Sequence, residues 1–323
     1  MGRMSIQSLP YTTGAVCDWI ERSWLPQQEW NQHTQAMRQA MRVMGTALTQ
    51  ESPFLFLPGF CCQAAGGDPA DAIGVAAAWT LLHRAADILD DWEDGDATSG
   101  STPVLNVATG LIFAAVRSLV DPRRAACSDQ ARLTIVEDFA RVGLYVCGGQ
   151  HADLVEPPHS LEACWKIVQA KSGACFALAC RAGARLAHVA DSVTEHYSEF
   201  GHHLGMAIQI CDDVKGIWSP TGKRSDLAFG RRTLPVSYAL SVAPPELQER
   251  LLQCLQSASH DTEAEPLARH LIEETGAVVY LAVEARRHWA QAQASLWAAD
   301  PLAAPRDQLI AWFSEILSLE QQS

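Results

Sequence analysis

The chain has 323 residues, 48% of them hydrophobic, and its 24 basic side chains against 37 acidic ones leave a net charge of −13. That length fills a large core, in one big domain or two, while the acidic balance and the lack of any long Lys/Arg run speak against nucleic acid as a partner. Met1–Pro10 holds no apolar core of signal-peptide length, no uninterrupted apolar run reaches transmembrane length, and the ten cysteines show no C-x-x-C or Cys/His metal spacing, so a cytoplasmic protein with reduced thiols is expected.

Residues 1–25 are mixed, with Trp19 and Trp24 as anchors onto a later helix. Pro26 opens a helix to Thr49, with Trp30, Met37, Met41, Met44 and Leu48 on its apolar face. Phe54 to Ala65 is a shorter apolar segment, interrupted at Pro58-Gly59. Asp68-Pro69, an N-cap followed by proline, starts a helix that runs to about Asp94. Gly95 to Pro103 is a small-residue loop, and helices follow over 104–120, 128–148, 161–186 and 192–216. A polar loop spans 217–232, and further helices begin at Leu234 and cover roughly 245–257, 264–274, 277–299 and 304–320. Period-2 alternation is absent, so the spacing predicts an all-α single domain, 1–323, of about ten to twelve helices.

The helix ending near Asp94 is almost wholly apolar up to Leu82 and then turns acidic. At about 100° per residue, His83, Asp87, Asp90, Asp91 and Asp94 share one arc. Like charges this close repel, so either several are protonated or cations sit between them; clustered carboxylate oxygens suit hard divalent ions such as Mg²⁺. A second acidic face follows, with Gln209, Asp212, Asp213 and Gly216 at i, i+3, i+4 and i+7. Ions bridging two such helix ends could hold a polyphosphate. Lys171 lies mid-helix, and Lys215, Lys223, Arg224, Arg231 and Arg232 cluster in and after the second acidic helix, where they could take the remaining phosphate oxygens. Arg231-Arg232 reads equally well as a solvated loop pair.

These residues resemble the trans-isoprenyl diphosphate synthase family. Asp90-Asp91-Trp92-Glu93-Asp94 matches its DDxxD motif, and Lys171-Ser172-Gly173 and Gly149-Gln150-x-x-Asp153 are similar to two further family segments. Gln209-x-x-Asp212-Asp213 matches its second acidic motif; Gly222-Lys223-Arg224-Ser225-Asp226-Leu227 and Gly230-Arg231-Arg232-Thr233-Leu234-Pro235 match the family segment after that motif. The resemblance implies a helical bundle around a deep apolar cavity, usually a homodimer, with three Mg²⁺ ions holding the diphosphate of an allylic substrate. It implies Asp90, Asp94 and Asp212 as metal ligands, Asp91 and Asp213 as ligands or their support, and Lys171, Lys223 and Arg231 on the diphosphate. Asp87, Gln209, Arg224 and Arg232 join these as candidates. Ala85 and Ala86, the small residues just before Asp90, imply room for a C15 or C20 chain, with Trp79 as floor and Phe176 as lining.

Two departures bear on the reaction. No Lys or Arg lies between Arg42 and Arg84, and none from Ala85 to Val116, where chain-elongating members carry the cations that bind isopentenyl diphosphate. The second motif ends in Gly216 where an Asp is usual. The expectation is therefore a Mg²⁺-dependent enzyme resembling bacterial class I terpene synthases, which ionise an allylic diphosphate, release pyrophosphate and cyclise or quench the cation. The alternative is a prenyltransferase, either elongating or transferring to another acceptor such as a peptide; a non-catalytic regulatory subunit is a third reading.

Overall fold

A computed structural model of the chain describes residues 9–24, 30–48, 53–93, 103–121, 128–155, 160–218, 225–258, 260–261 and 263–317. Among these residues the secondary structure is helical: α1 Thr13–Trp24, α2 Asn31–Leu48, α3 Pro53–Ala64, α4 Ile73–Glu93, α5 Pro103–Leu119, α6 Asp129–Val155 and α7 Leu161–Val168. They continue with α8 Ala174–Arg185, α9 Asp191–Gly216, α10 Leu234–Val242, α11 Pro245–Ser257, α12 Ala264–Glu274, α13 Ala277–Ala298 and α14 Ala303–Ile316. The all-α class is as the hydrophobic spacing predicts. The helices outnumber the expected ten to twelve because residues 13–24 form a helix of their own and the stretch read as one helix over 161–186 is divided at Gln169–Gly173.

The chain forms two compact units. The first comprises Met1–Arg141, Leu178–Ser198 and Leu296–Phe313; the second comprises Val142–Ala177, Glu199–Ser295 and Ser314–Ser323. In the first unit Asp68 caps the start of the acidic helix as expected, its Oδ1 accepting from Ala70 N at 2.9 Å, and a short 3₁₀ turn Pro69–Ala72 leads into α4. Trp19 is an anchor: Gly74 of α4 lies against its indole, and its Nε1 donates to the Ser118 carbonyl of α5 at 3.3 Å. Met37 is fully buried, but Trp30, expected on the same apolar face, is exposed. The Trp24 and Met44 side chains lie outside the described residues.

Pro58-Gly59 does not interrupt α3, as the sequence suggests it should; the helix runs through Pro58. Proline there removes one intrahelical hydrogen bond and costs about 3 kcal/mol. Burial of Leu55, Phe56, Leu57 and Phe60 offsets that several times over, at about 1.5–3 kcal/mol for each side chain. Trp312 of α14 stacks on Phe56 (centroids 5.9 Å) and meets Phe60 edge-on (5.5 Å). Gly183 of α8 packs so closely on the Pro58 carbonyl that any side chain at 183 would collide with it. The stretch Pro69–Glu93 is long and apolar enough to cross a membrane by length and composition, yet 61% of its apolar window is buried inside the fold, as in a core helix.

Among the described residues, two apolar clusters lie in the second unit. One gathers Ile217, Leu227, Val236, Leu251, Leu271 and Ile272; the other gathers Met206, Ile210, Val214, Leu234 and Leu281. Both include residues that flank the second acidic site, so the ends of α9 and α10 are fixed by packing on either side.

Candidate active site

In the first unit, α4 places Asp87, Asp90 and Asp91 in its last two turns. Asp94, with the loop after it, lies outside the described residues. Asp87 faces side chains of its own helix: Arg84 Nη1 is 3.7 Å and His83 Nε2 3.9 Å from its carboxylate oxygens. Arg84 is in turn held by the Ala40 carbonyl of α2 at 3.1 Å. Asp87, a metal candidate by spacing, is thus already answered by protein charge, one helical turn before Asp90 and Asp91. Asp90 is half-buried and Asp91 exposed. Trp79 is buried and stacks on His83 with ring centroids 5.9 Å apart. Ala85 is buried and Ala86 exposed, so the two small residues serve different surfaces of α4. Among the described residues no three His, Cys, Asp or Glu side chains form a ready-made metal site. The exposed carboxylates of Asp91 and Asp212 nevertheless offer the hard oxygen donors that Mg²⁺ takes, with coordination left to be completed by water and substrate phosphate.

In the second unit the Lys171 segment departs from α-helical geometry. Gln169–Gly173 is a π-helical turn between α7 and α8, a distortion that recurs at functional sites. Two glycines let α9 approach it: a Cβ on Gly205 would lie 2.6 Å from the Ser172 carbonyl and 3.0 Å from Phe176, and a Cβ on Gly173 would lie 2.8 Å from His202. Phe176 is buried in this contact. Lys171 Nζ reaches Asp153 Oδ2 at 3.3 Å, and Gly149 packs against Ala170, so the Gly149-Gln150-x-x-Asp153 segment supports the lysine directly. That segment lies within α6, which continues beyond the expected end at Gly148 to Val155.

Gln209, Asp212 and Asp213 occupy the last two turns of α9 but in unlike surroundings. Asp212 is exposed; the protein around its base raises its pKa while Lys215 lowers it. Asp213 is buried, and both of its oxygens are engaged: Oδ1 accepts from Gln209 Nε2 at 2.7 Å and Oδ2 from the Leu234 backbone N–H at 3.0 Å. Burial pushes its pKa up to about 7, with the Leu234 and Gln209 hydrogen bonds opposing. The other end of the Gln209 amide accepts from Ser172 Oγ at 2.5 Å. Gln209, a diphosphate candidate by spacing, therefore has its amide bonded to the fold at both ends.

Gly216, where the resemblance leads one to expect aspartate, faces Asp226, whose carboxylate fills the space a side chain at 216 would need. Asp226 also holds Arg231, with Oδ1 3.3 Å from Arg231 Nη1 and its carbonyl accepting the Arg231 N–H at 3.0 Å. The Arg231 guanidinium lies 4.9 Å from the centre of the Phe229 ring. The Arg232 carbonyl accepts from Ser237 Oγ (3.2 Å) and from the Cys164 thiol (3.7 Å), whose pKa burial pushes up to about 12. Arg231-Arg232 is thus a half-buried, braced pair and no solvated loop. Lys223 and Arg224 lie outside the described residues. Sequence reasoning gave no role to Asp226 or Asp153; their signal was present in the aspartates of the two family-like segments that contain them.

Comparison with known proteins bears on the chemistry. The polyprenyl synthetase family model matches residues 32–274. A (2E,6E)-farnesyl diphosphate synthase of Mycobacterium bovis is 31% identical over 248 residues, 71% of this chain and 68% of that protein. A short chain isoprenyl diphosphate synthase of Methanothermobacter thermautotrophicus is 29% identical over 246 residues, covering 70% and 73%. Among solved structures, a polyprenyl synthetase from Streptomyces coelicolor A3(2) shares 26% identity with a TM-score of 0.72, over 80% of this chain and 82% of that one. Geranylgeranyl pyrophosphate synthetase from Pyrococcus horikoshii Ot3 superposes with a TM-score of 0.80 over 94% and 96% at 22% identity, which speaks to fold. These relatives are named for making prenyl diphosphates, whereas the sequence led to the expectation of a character closest to terpene synthases.

Proposed function

Because the chain belongs to the polyprenyl synthetase family, we propose that it is a short-chain prenyltransferase that joins an allylic prenyl diphosphate to isopentenyl diphosphate and releases pyrophosphate. The observation that carries this reading is the reach of the family match, residues 32–274, which takes in both acidic sites, Lys171 and Arg231-Arg232. Asp90, Asp91 and Asp94 in the first unit, and Asp212 in the second, would each offer Mg²⁺ carboxylate oxygens. When bound, it would neutralise the diphosphate and make it a better leaving group. Lys171 and Arg231 would grip the phosphate oxygens, each paired with a carboxylate, Asp153 and Asp226, that holds it before substrate arrives. The buried Ala85 of α4 would border the prenyl chain. A homodimer would cover the exposed apolar face of α5, where Ile112, Phe113 and Val116 stand in solvent.

One observation favours a second reading. The absence of any Lys or Arg from 43 to 83 and from 85 to 116 leaves those stretches without a cation for a second diphosphate. A class I terpene synthase, which needs only the allylic diphosphate, has no use for one. Geranyl, farnesyl and geranylgeranyl diphosphates, each with Mg²⁺ and with or without isopentenyl diphosphate, separate the two. A longer diphosphate formed only when isopentenyl diphosphate is present supports elongation. A hydrocarbon or alcohol from an allylic diphosphate alone supports the terpene synthase. No metal-dependent pyrophosphate release from any of them refutes both.

A further inference from the structure

The interior hydrogen bonds of the second unit's acidic site form one continuous chain. Ser172 Oγ donates to Gln209 Oε1 (2.5 Å), Gln209 Nε2 donates to Asp213 Oδ1 (2.7 Å), and the Leu234 N–H donates to Asp213 Oδ2 (3.0 Å). The polarity is fixed throughout. The amide passes the hydroxyl's bond on to the carboxylate, and the carboxylate receives a donor at each oxygen. Candidate phosphate cations sit at both ends of the chain. Ser172 follows Lys171 in the π-helical turn, and Leu234 opens α10 directly after the Arg231-Arg232-Thr233 segment.

The start of α10 depends on this arrangement. A helix leaves its first backbone N–H groups without intrahelical partners, and the residue before it commonly supplies a side-chain acceptor. Thr233 stands in that position but makes no such bond, and its Oγ1 is buried without a partner. Asp213, on another helix, takes the Leu234 N–H instead. Asp213 is only 6% exposed and already has a donor on each oxygen, whereas Asp212 beside it is exposed.

We propose that Asp213 and Gln209 are positioning residues: they fix the spacing between the Lys171 turn and the Arg231-Arg232 segment so that both grip one diphosphate. The proposal rests on the prenyl diphosphate reading of this site.

A reciprocal exchange tests it. In Asp213→Asn the new amide can still accept from Leu234, but its NH₂ then faces the Gln209 NH₂. Adding Gln209→Glu restores every bond, since Glu accepts from both Ser172 and Asn, and the total charge is unchanged. Loss of a charged hydrogen bond predicts that Asp213→Asn raises KM for the allylic diphosphate about tenfold or more, with the half-saturating Mg²⁺ concentration unchanged. The double variant should return KM to within about threefold of wild type. A double variant as impaired as Asp213→Asn, or a Mg²⁺ requirement that rises with KM, overturns the proposal. Should circular dichroism show either variant unfolded, Ser172→Ala, which removes only the terminal hydroxyl, is expected to raise KM several-fold with an unchanged melting temperature; an unchanged KM overturns it. A wild-type protein that ionises no allylic diphosphate would sink the function while leaving the hydrogen-bond chain testable through exchange of the Leu234 amide. That amide should be protected in wild type and fast in Asp213→Ala, which leaves it no acceptor; equal exchange in the two refutes the chain.

Discussion

Acid should destabilise this protein through one histidine pair, and the size of the effect can be worked from its geometry. His288 is buried in the second unit beside Trp165. Arg287 Nη2 lies 3.3 Å from His288 Nε2, and an arginine only donates, so that nitrogen accepts and the neutral ring carries its proton on Nδ1. His288 Nδ1 then donates to His203 Nδ1 at 3.0 Å, which leaves His203 protonated on Nε2. A second proton has no place to go without breaking one of these bonds. Burial, then Arg287, His203 and His202, push the His288 pKa down to about 3 from the usual 6.5. Glu199, beside His203, pulls the other way on that ring, and Glu284 occupies Arg287 at 2.6 Å. Because the folded state binds the proton less readily than the unfolded state, stability is present above about pH 6.5 and is lost as pH falls, at about 1.4 kcal/mol per unit for one group. Between about pH 6.5 and 5 that amounts to about 2 kcal/mol, a substantial part of an ordinary stability. Urea unfolding followed by tryptophan fluorescence over this range, for wild type and His288→Phe, measures it. The variant's stability should fall less steeply, by about one proton's worth of slope. Parallel slopes would refute both the tautomer assignment and the buried neutral state.

Gly216→Asp, which would write the usual aspartate back into the second motif, should place its side chain on the Asp226 carboxylate and lower the melting midpoint, at a cost of about 2 kcal/mol from overpacking and like charge; an unchanged midpoint would show that Asp226 does not occupy that space. Asp212→Ala, at an exposed position, should leave the melting curve unaltered and abolish Mg²⁺-dependent pyrophosphate release; release that survives would remove Asp212 from the metal set. Ala85→Phe fills buried space on α4 and should shift preference toward shorter chains in a product assay by gas chromatography; an unaltered length distribution would remove Ala85 from the chain pocket.

The helices were legible where one physical signal dominated. Asp68-Pro69 marked the start of the acidic helix because a cap and an N1 proline act locally, and the Trp19 anchor could be expected from an isolated indole in a mixed stretch. Pro58 misled because its cost is local and its compensation is not: the aromatic contacts of α14 and the close approach of Gly183 come from far along the chain. The π-helical turn at Lys171 was illegible for the same reason. Gln169, Ala170, Lys171 and Ser172 are ordinary helix residues, and the feature that accommodates their irregular backbone is the pair Gly173 and Gly205, one of them on another helix.

The second acidic motif shows where spacing stops being informative. Helical periodicity puts Gln209, Asp212, Asp213 and Gly216 on one arc, and a reading by residue type treats the two aspartates as equivalent. Neighbours in a helix point about 100° apart, so one carboxylate can face inward while the other faces solvent. Which one does so is decided by Leu234, twenty-one residues further on, whose N–H reaches Asp213. The glycine at 216 obeys the same logic: its missing side chain looks like a lost ligand in the motif, yet in the fold it is the space that lets Asp226 stand beside Arg231. The acidic residues of this unit thus divide by task. Asp212 is exposed, Asp213 accepts the first N–H of α10, and Asp226 and Asp153 hold the cations Arg231 and Lys171. The surroundings of Asp213, Asp226 and Asp153 depend on contacts between separate segments of the chain, which residue type and periodicity do not encode.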